Sequence, residues 1–231
     1  MKRTFFIPVV LAAALVGGCG RSDRDQAAAP PAGSNPVGTS GEAKADIPRA
    51  DTDFVHDVAI ANMAEIDLAR LAQDHAAGAS VKKFAQMMVT DHTKAGDELR
   101  QLAASHRIEM PAQVDDDHRD KAEALAKKKG MDFDRDYADA MVDGHQAFVD
   151  KLESRIDKDT VSKWKADNYD PATGKKVKGK GEALVVAAEK DDNPITMSLN
   201  EWAAKTYPVA YAHLQAAKDL QKGVKRSTTA P

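Results

Sequence analysis

Apolar residues recur every three or four positions in four long stretches of the chain, the period of a helix with one buried face. Over 53–76 the stripe is Phe54, Val58, Ala61, Leu68 and Ala72, with Asp51, Thr52 and Asp53 as N-cap candidates and Gly78 as a stop. Over 80–106 it is Val81, Ala85, Met88, Ala95, Leu99 and Leu102, opened by Ser80 and followed by Pro111. Over 132–156 it is Tyr137, Met141, Phe148 and Leu152. Over 198–222 it is Trp202, Thr206, Ala210, Ala217 and Leu220; Pro208 lies inside and its missing N–H predicts a kink. Residues 114–129 start acidic and end in lysines, which suits the helix dipole, and their thin stripe predicts a short exposed helix ending at Gly130. The pattern breaks over 157–197. There Asp170-Pro171-Ala172-Thr173-Gly174 marks a turn, lysines stand at 175, 176, 178 and 180, and a short apolar run covers 183–188. The expected fold is all-α: an antiparallel four-helix bundle with a short extra helix and an irregular insertion before the last helix.

The N-terminal residues follow another rule. Lys2 and Arg3 precede an apolar stretch, Phe5 to Gly18, that is shorter than the roughly 20 residues a membrane-spanning helix needs. That is the layout of a secretory signal. The single cysteine, Cys19, follows Val16-Gly17-Gly18. Small residues before a cysteine resemble the bacterial lipobox, in which the thiol is acylated and the chain is cut just before it. The competing reading is an ordinary signal peptide with a chance cysteine. Residue 20 is Gly rather than Asp, which by analogy with enterobacterial sorting favours the outer membrane. Residues 20–50 hold four Pro, four Gly and few large apolar side chains, the composition of a tether. The expected organisation is a signal peptide at 1–18, a lipidated Cys19 and flexible tether at 19–50, and the bundle at 51–225. The expected location is the cell envelope, anchored to the membrane through lipid and facing the periplasm.

Composition narrows the chemistry. Lys and Arg number 33 against 36 Asp and Glu, so the net charge of -3 disfavours a nucleic-acid partner. Aromatics make up only 5%, unlike a β-sandwich. One cysteine excludes an internal disulfide and any Cys-rich metal site. No Gly-rich phosphate loop, nucleophile elbow or zinc-protease helix motif is present, so neither a nucleotide nor a flavin is expected.

Each long helix carries one ligand-type residue on its apolar stripe. Glu65 lies between Ala61 and Leu68, His92 between Met88 and Ala95, His145 between Met141 and Phe148, and His213 between Ala210 and Ala217. At about 1.5 Å rise per residue, Glu65 and His92 are equidistant from the turn near 78–79. His145 falls near the level of His92, and His213 within roughly 5 Å of it. Two readings of this layer stand. It is a ligand set for one divalent transition metal, three imidazoles and a carboxylate. Or it is a polar layer, with Glu65 hydrogen-bonded to histidines and no metal. Asp91 flanks His92 as an outer acceptor or fifth ligand. His56, His75, His106 and His118 fall off the stripes or near helix ends and read as surface residues. Tyr137 and Tyr207 read as packing residues that can also offer hydroxyls to the layer.

The ordered motifs carry a family resemblance. Phe54-Val55, Ala64-Glu65, Phe84-Ala85-Gln86-Met87-Met88-Val89 followed by Asp91-His92, Pro111, Phe133-Asp134 before Tyr137, His145, Pro208 and His213-Leu214 occur in sequence. Over about 53–156 and 198–221 they resemble a bacterial family of unknown function labelled "predicted outer-membrane protein" and regarded as ferritin-like. The resemblance implies a ferritin-like bundle, a fold that often holds two metals through a Glu and a Glu-x-x-His pair in each half. The chain departs from that pattern, with Val89 three before His92 and Ala210 three before His213. That argues against ferroxidase or oxygenase chemistry and for a mononuclear site or none.

The leading functional expectation is therefore a lipid-anchored envelope protein holding one metal ion, in envelope stress or metal handling. The alternative is a non-catalytic structural or interaction module, with a protein partner meeting 157–197. A third is an enzyme with a metal-activated water. No reaction or substrate follows from the sequence.

Overall fold

In a computed structural model, residues 46–177 and 185–229 are described. The expectations for the signal segment, for Cys19 and for most of the tether lie outside them. Six helices follow in order: α1 (Arg49–His75), α2 (Ala79–Ser105), α3 (Asp116–Ala126), α4 (Gly130–Glu153), α5 (Lys158–Asn168) and α6 (Pro194–Thr229). The all-α expectation is met, and among the described residues β-structure is limited to isolated bridges. No described helix is long and apolar enough to cross a membrane.

The long helices form a closed circuit. α1 packs on α2 and α4, and α6 packs on α4 and α2. The three-residue link between α1 and α2 is fastened by a distant residue. The buried Asp134 carboxylate accepts the backbone N–H groups of Ala77 (3.0 Å) and Gly78 (2.8 Å). Gly78 is thus the N-cap of α2 rather than the stop of α1, which ends at His75. α1 also starts earlier than the candidate caps imply. Pro48 is its N-cap, and the buried Asp51 instead pairs with Arg155 at the end of α4 and accepts from Thr196 Oγ1 (2.6 Å) at the start of α6. Arg155 also donates to Ala50 O (2.6 Å) and lies 4.5 Å over the Phe54 ring.

The insertion needs correction. It is not wholly irregular, because α5 occupies 158–168 and α6 begins at Pro194. α5 is short, and its only buried residues are Val161 and Trp164, so no long periodicity announces it. It forms because Asp157 caps it through Thr160 N (2.8 Å), and because Trp164 packs edge-on against Tyr207 and Tyr211 of α6. The turn at 170–174 is present. Asp170 Oδ1 accepts from Ala172 and Thr173 (2.9 Å each), and Gly174 adopts φ +66°. α6 continues as helix through Pro208.

The apolar interior is divided. One cluster gathers Val58, Leu99, Phe148, Trp202, Ala210 and their neighbours toward the α5 end. The other gathers Ala69, Met88, Tyr137, Met141, Ala217 and theirs toward the α1–α2 turn. On every long helix the ligand-type residue falls between members of the two clusters, so a polar layer separates two greasy ones.

Candidate metal centre

Glu65, His92, His145 and His213 are all buried, at 5%, 4%, 0% and 5% exposure. Their meeting is a direct consequence of helix register, as each sits where a core side chain belongs. One ring nitrogen from each histidine lies within 4.8 Å of the others. The ring centroids form a near-equilateral triangle of 5.4, 5.6 and 5.6 Å. Glu65 Oε2 approaches His92 Nε2 to 2.9 Å and His145 Nε2 to 3.3 Å.

The far side of each ring decides what these atoms are. Asn62 Nδ2 donates to the His92 carbonyl (2.9 Å), which can only accept, so Asn62 Oδ1 must face His92 Nδ1 (3.0 Å). An amide oxygen accepts, so His92 Nδ1 carries the hydrogen. His145 Nδ1 faces the Met141 carbonyl (2.9 Å) and carries its hydrogen for the same reason. In the neutral form of either ring Nε2 is then a lone pair. His213 Nε2 lies 2.9 Å from Asp91 Oδ2, a carboxylate acceptor, which leaves Nδ1 as the lone pair of that neutral ring. This is the outer arrangement found around metal-bound histidines: the ring nitrogen away from the metal donates to a carbonyl or carboxylate.

The inner atoms are acceptors meeting acceptors. His92 Nε2, His145 Nε2 and both oxygens of Glu65 are buried, and none has an aligned hydrogen-bond partner despite the short approaches. Lone pairs brought together in a water-poor interior need a cation between them, either a proton or a metal ion. The donor set fits a borderline transition metal: imidazoles plus one carboxylate, with no thiolate.

The electrostatics are consistent with that demand. Burial opposes ionisation of Glu65, yet the facing imidazoles of His145, His92 and His213, in their protonated forms, outweigh it, with His92 then also a hydrogen-bond donor, and lower the carboxyl to about 2. Burial lowers His145, with Glu65 opposing and His92 adding to the effect. Burial, then His145 and His92, lowers His213 to about 4 against the pull of Asp91. Three rings crowded together resist a full set of protons. Phe84 stands edge-on to both His145 and Tyr137 and closes one side. The buried Tyr137 hydroxyl has no partner, and burial, then the charge of Glu65, raises it.

All four layer residues come together as the spacing implies, and Asp91 sits behind His213. Tyr207 does not join them; its hydroxyl donates to Glu153 (2.8 Å). His56 is exposed, and His75, His106 and His118 are partly exposed. The residue that sequence reasoning missed is Asn62. It lies four after Val58 and three before Glu65, on the same helical face, so a buried amide was legible there.

Comparison with known families adds one finding. A family model described as a domain of unknown function, DUF4142, matches residues 37–167, more than half of the chain. The chain belongs to that family. The match contains Asn62, Glu65, Asp91, His92 and His145 and ends inside α5, before His213. No curated protein and no solved structure matches the chain.

Proposed function

We propose that this protein is a lipid-anchored, periplasm-facing ferritin-like bundle that holds one divalent transition metal ion. Glu65, His92, His145 and His213 bind it, and Asn62, the Met141 carbonyl and Asp91 fix the rings from behind. The observation that carries this reading is the convergence of buried acceptor atoms with no aligned donor, while the opposite nitrogens of His92 and His145 are tied as donors. A bound metal would supply a Lewis-acidic charge in the core. The chain's own residues orient the rings and exclude bulk water. A single buried carboxylate among three imidazoles suits mononuclear binding, and a role in metal handling at the envelope follows from it. The Cys19 motif and the Pro/Gly-rich segment after it support the anchored location.

The test is metal content and affinity. The chain is purified without a histidine tag, stripped with chelator, and titrated with zinc, manganese, iron(II) and copper(II). One equivalent of at least one metal binds with sub-micromolar affinity, and His92→Ala and His145→Ala each abolish it. No binding tighter than micromolar for any of them refutes the metal and leaves a Glu/His polar layer.

A further inference from the structure

An ion held between Glu65 and the three histidines lies in a buried layer, so it reaches that layer past one of the four seams between neighbouring long helices. Three of these seams present no ligand of the layer to water. Between α4 and α6, the most closely packed pair, His145 is wholly buried. Between α1 and α2, the buried Asn62 bonds across to the His92 carbonyl. Between α1 and α4, a cavity of about 560 Å³ opens under α3, because the facing residues Ala61, Ala64, Ala140, Gly144 and Ala147 are small and α3 buries only Leu125. Glu65 lines it, yet both its oxygens are buried, and Gly144 lies against Oε1, where an added Cβ would come within 2.9 Å. The walls are largely apolar, which opposes the passage of a hydrated ion.

The α2–α6 seam differs. The two helices run antiparallel there, with Asp91 against His213 (2.9 Å) and Glu98 against Lys205 (2.9 Å). Positions 205, 209, 212 and 216 share one face of α6, and after Lys205 they hold only Val209, Ala212 and Ala216. Val209 is 48% exposed and Ala212 is exposed, so short side chains cover the seam beside His213 thinly. Among the described residues, Asp91 is the one group in contact with the layer that reaches water. Its side chain is 39% exposed, against 0–7% for Glu65, His92, His145 and His213. Asp91 Oδ2 is engaged by His213 Nε2, which leaves Oδ1 for a cation. A carboxylate at the entrance to a water-poor passage raises the local concentration of cations and offsets the loss of their hydration.

We infer that the metal ion enters and leaves the layer through the α2–α6 seam, and that Asp91 takes it from water and passes it to His213. The route rests on the metal reading and adds to it. Asp91 sets how fast the site exchanges its ion, besides orienting a ring, and the ion is exchangeable in the folded chain rather than trapped when the chain folds.

The experiment mixes the full-length, tag-free, metal-free chain with zinc in a stopped-flow instrument and reads free zinc with a fluorescent chelator. Release is read by mixing the zinc-loaded chain with excess EDTA. In Asp91→Asn the amide oxygen still accepts from His213 Nε2, so the ring stays oriented while the charge is lost. Association slows at least tenfold and loses its dependence on ionic strength. Ala212→Trp covers the seam and slows association and release together at least tenfold, with Kd within threefold of wild type. Ala124→Trp, an exposed α3 position that faces the cavity, leaves both rates unchanged. Should Asp91→Asn fail to fold, the two tryptophan variants carry the test. The proposal is overturned if Asp91→Asn alters release alone, the result a purely ring-positioning role gives, or if Ala124→Trp slows exchange and Ala212→Trp does not. A wild-type chain that takes up no zinc refutes the metal reading and the route together. Zinc uptake at rates indifferent to both seam variants refutes the route alone.

Discussion

At the scale of the residue, Glu65 distinguishes the two readings of the layer. In Glu65→Gln the amide N–H becomes a donor to a histidine lone pair, which satisfies the metal-free core. Unfolding of metal-free Glu65→Gln in urea therefore occurs at the same concentration as wild type or higher, while the stabilisation conferred by added metal disappears. A core held by a Glu–His ion pair gives the opposite result, a loss of several kcal/mol. Asn62→Leu tests the ring behind the ligand atom. It frees His92 to rotate and weakens metal affinity about 10- to 100-fold, measured by competition with a chelating dye. Acid acts through the same groups. His213 ordinarily titrates near 6.5 and falls to about 4 in the fold, and His145 is also lowered. The unfolded chain therefore binds more protons between pH 6.5 and 4, and stability falls as pH falls across that window. Denaturation midpoints of the metal-free chain at pH 7, 5.5 and 4 should decrease in that order, and metal affinity should decrease with them.

At the scale of the element, the helices are placed by a few buried polar contacts as much as by their stripes. Asp51 joins α1, the end of α4 and the start of α6 through Arg155 and Thr196. Asp51→Ala leaves a nearly buried guanidinium without its partner and costs about 3–5 kcal/mol, read from chemical denaturation. Gly96 on α2 shows the same dependence in reverse. Alanine is the better helix former by about 1 kcal/mol, but a Cβ at 96 would lie 2.7 Å from Asn62 Nδ2. Asn62 is held by two hydrogen bonds and has little room to retreat, so Gly96→Ala lowers the denaturation midpoint instead of raising it. Much of this level was legible in advance. The stripes located all four long helices, because each buries one face over many turns. α5 was not legible, because two buried residues leave no period to read and its packing surface lies on α6, far away in sequence. The helix starts were misplaced for a related reason. Asp51 looks like a cap locally, but its partners at 155 and 196 recruit it into the interior.

At the scale of the whole molecule, the layer was legible because its four residues obey the same periodicity as the core that surrounds them. Their common height followed from helix rise and turn position alone. What sequence could not supply was direction: which nitrogen of each ring faces inward depends on Asn62, Met141 and Asp91, three partners on three separate helices. The cavity behind Glu65 was equally hidden, since it arises from small residues on two helices and a third helix that covers them incompletely. The molecule is thus a bundle with two apolar clusters, a polar layer between them, and one side of that layer bordering a pocket. The most direct test of the central claim is X-ray absorption at the zinc edge of the zinc-loaded, tag-free chain. Zinc held by the layer gives only nitrogen and oxygen neighbours at about 2.0–2.1 Å, with the outer-shell scattering of three imidazoles. A spectrum with one imidazole or none, or with zinc surrounded by water oxygens alone, would contradict it.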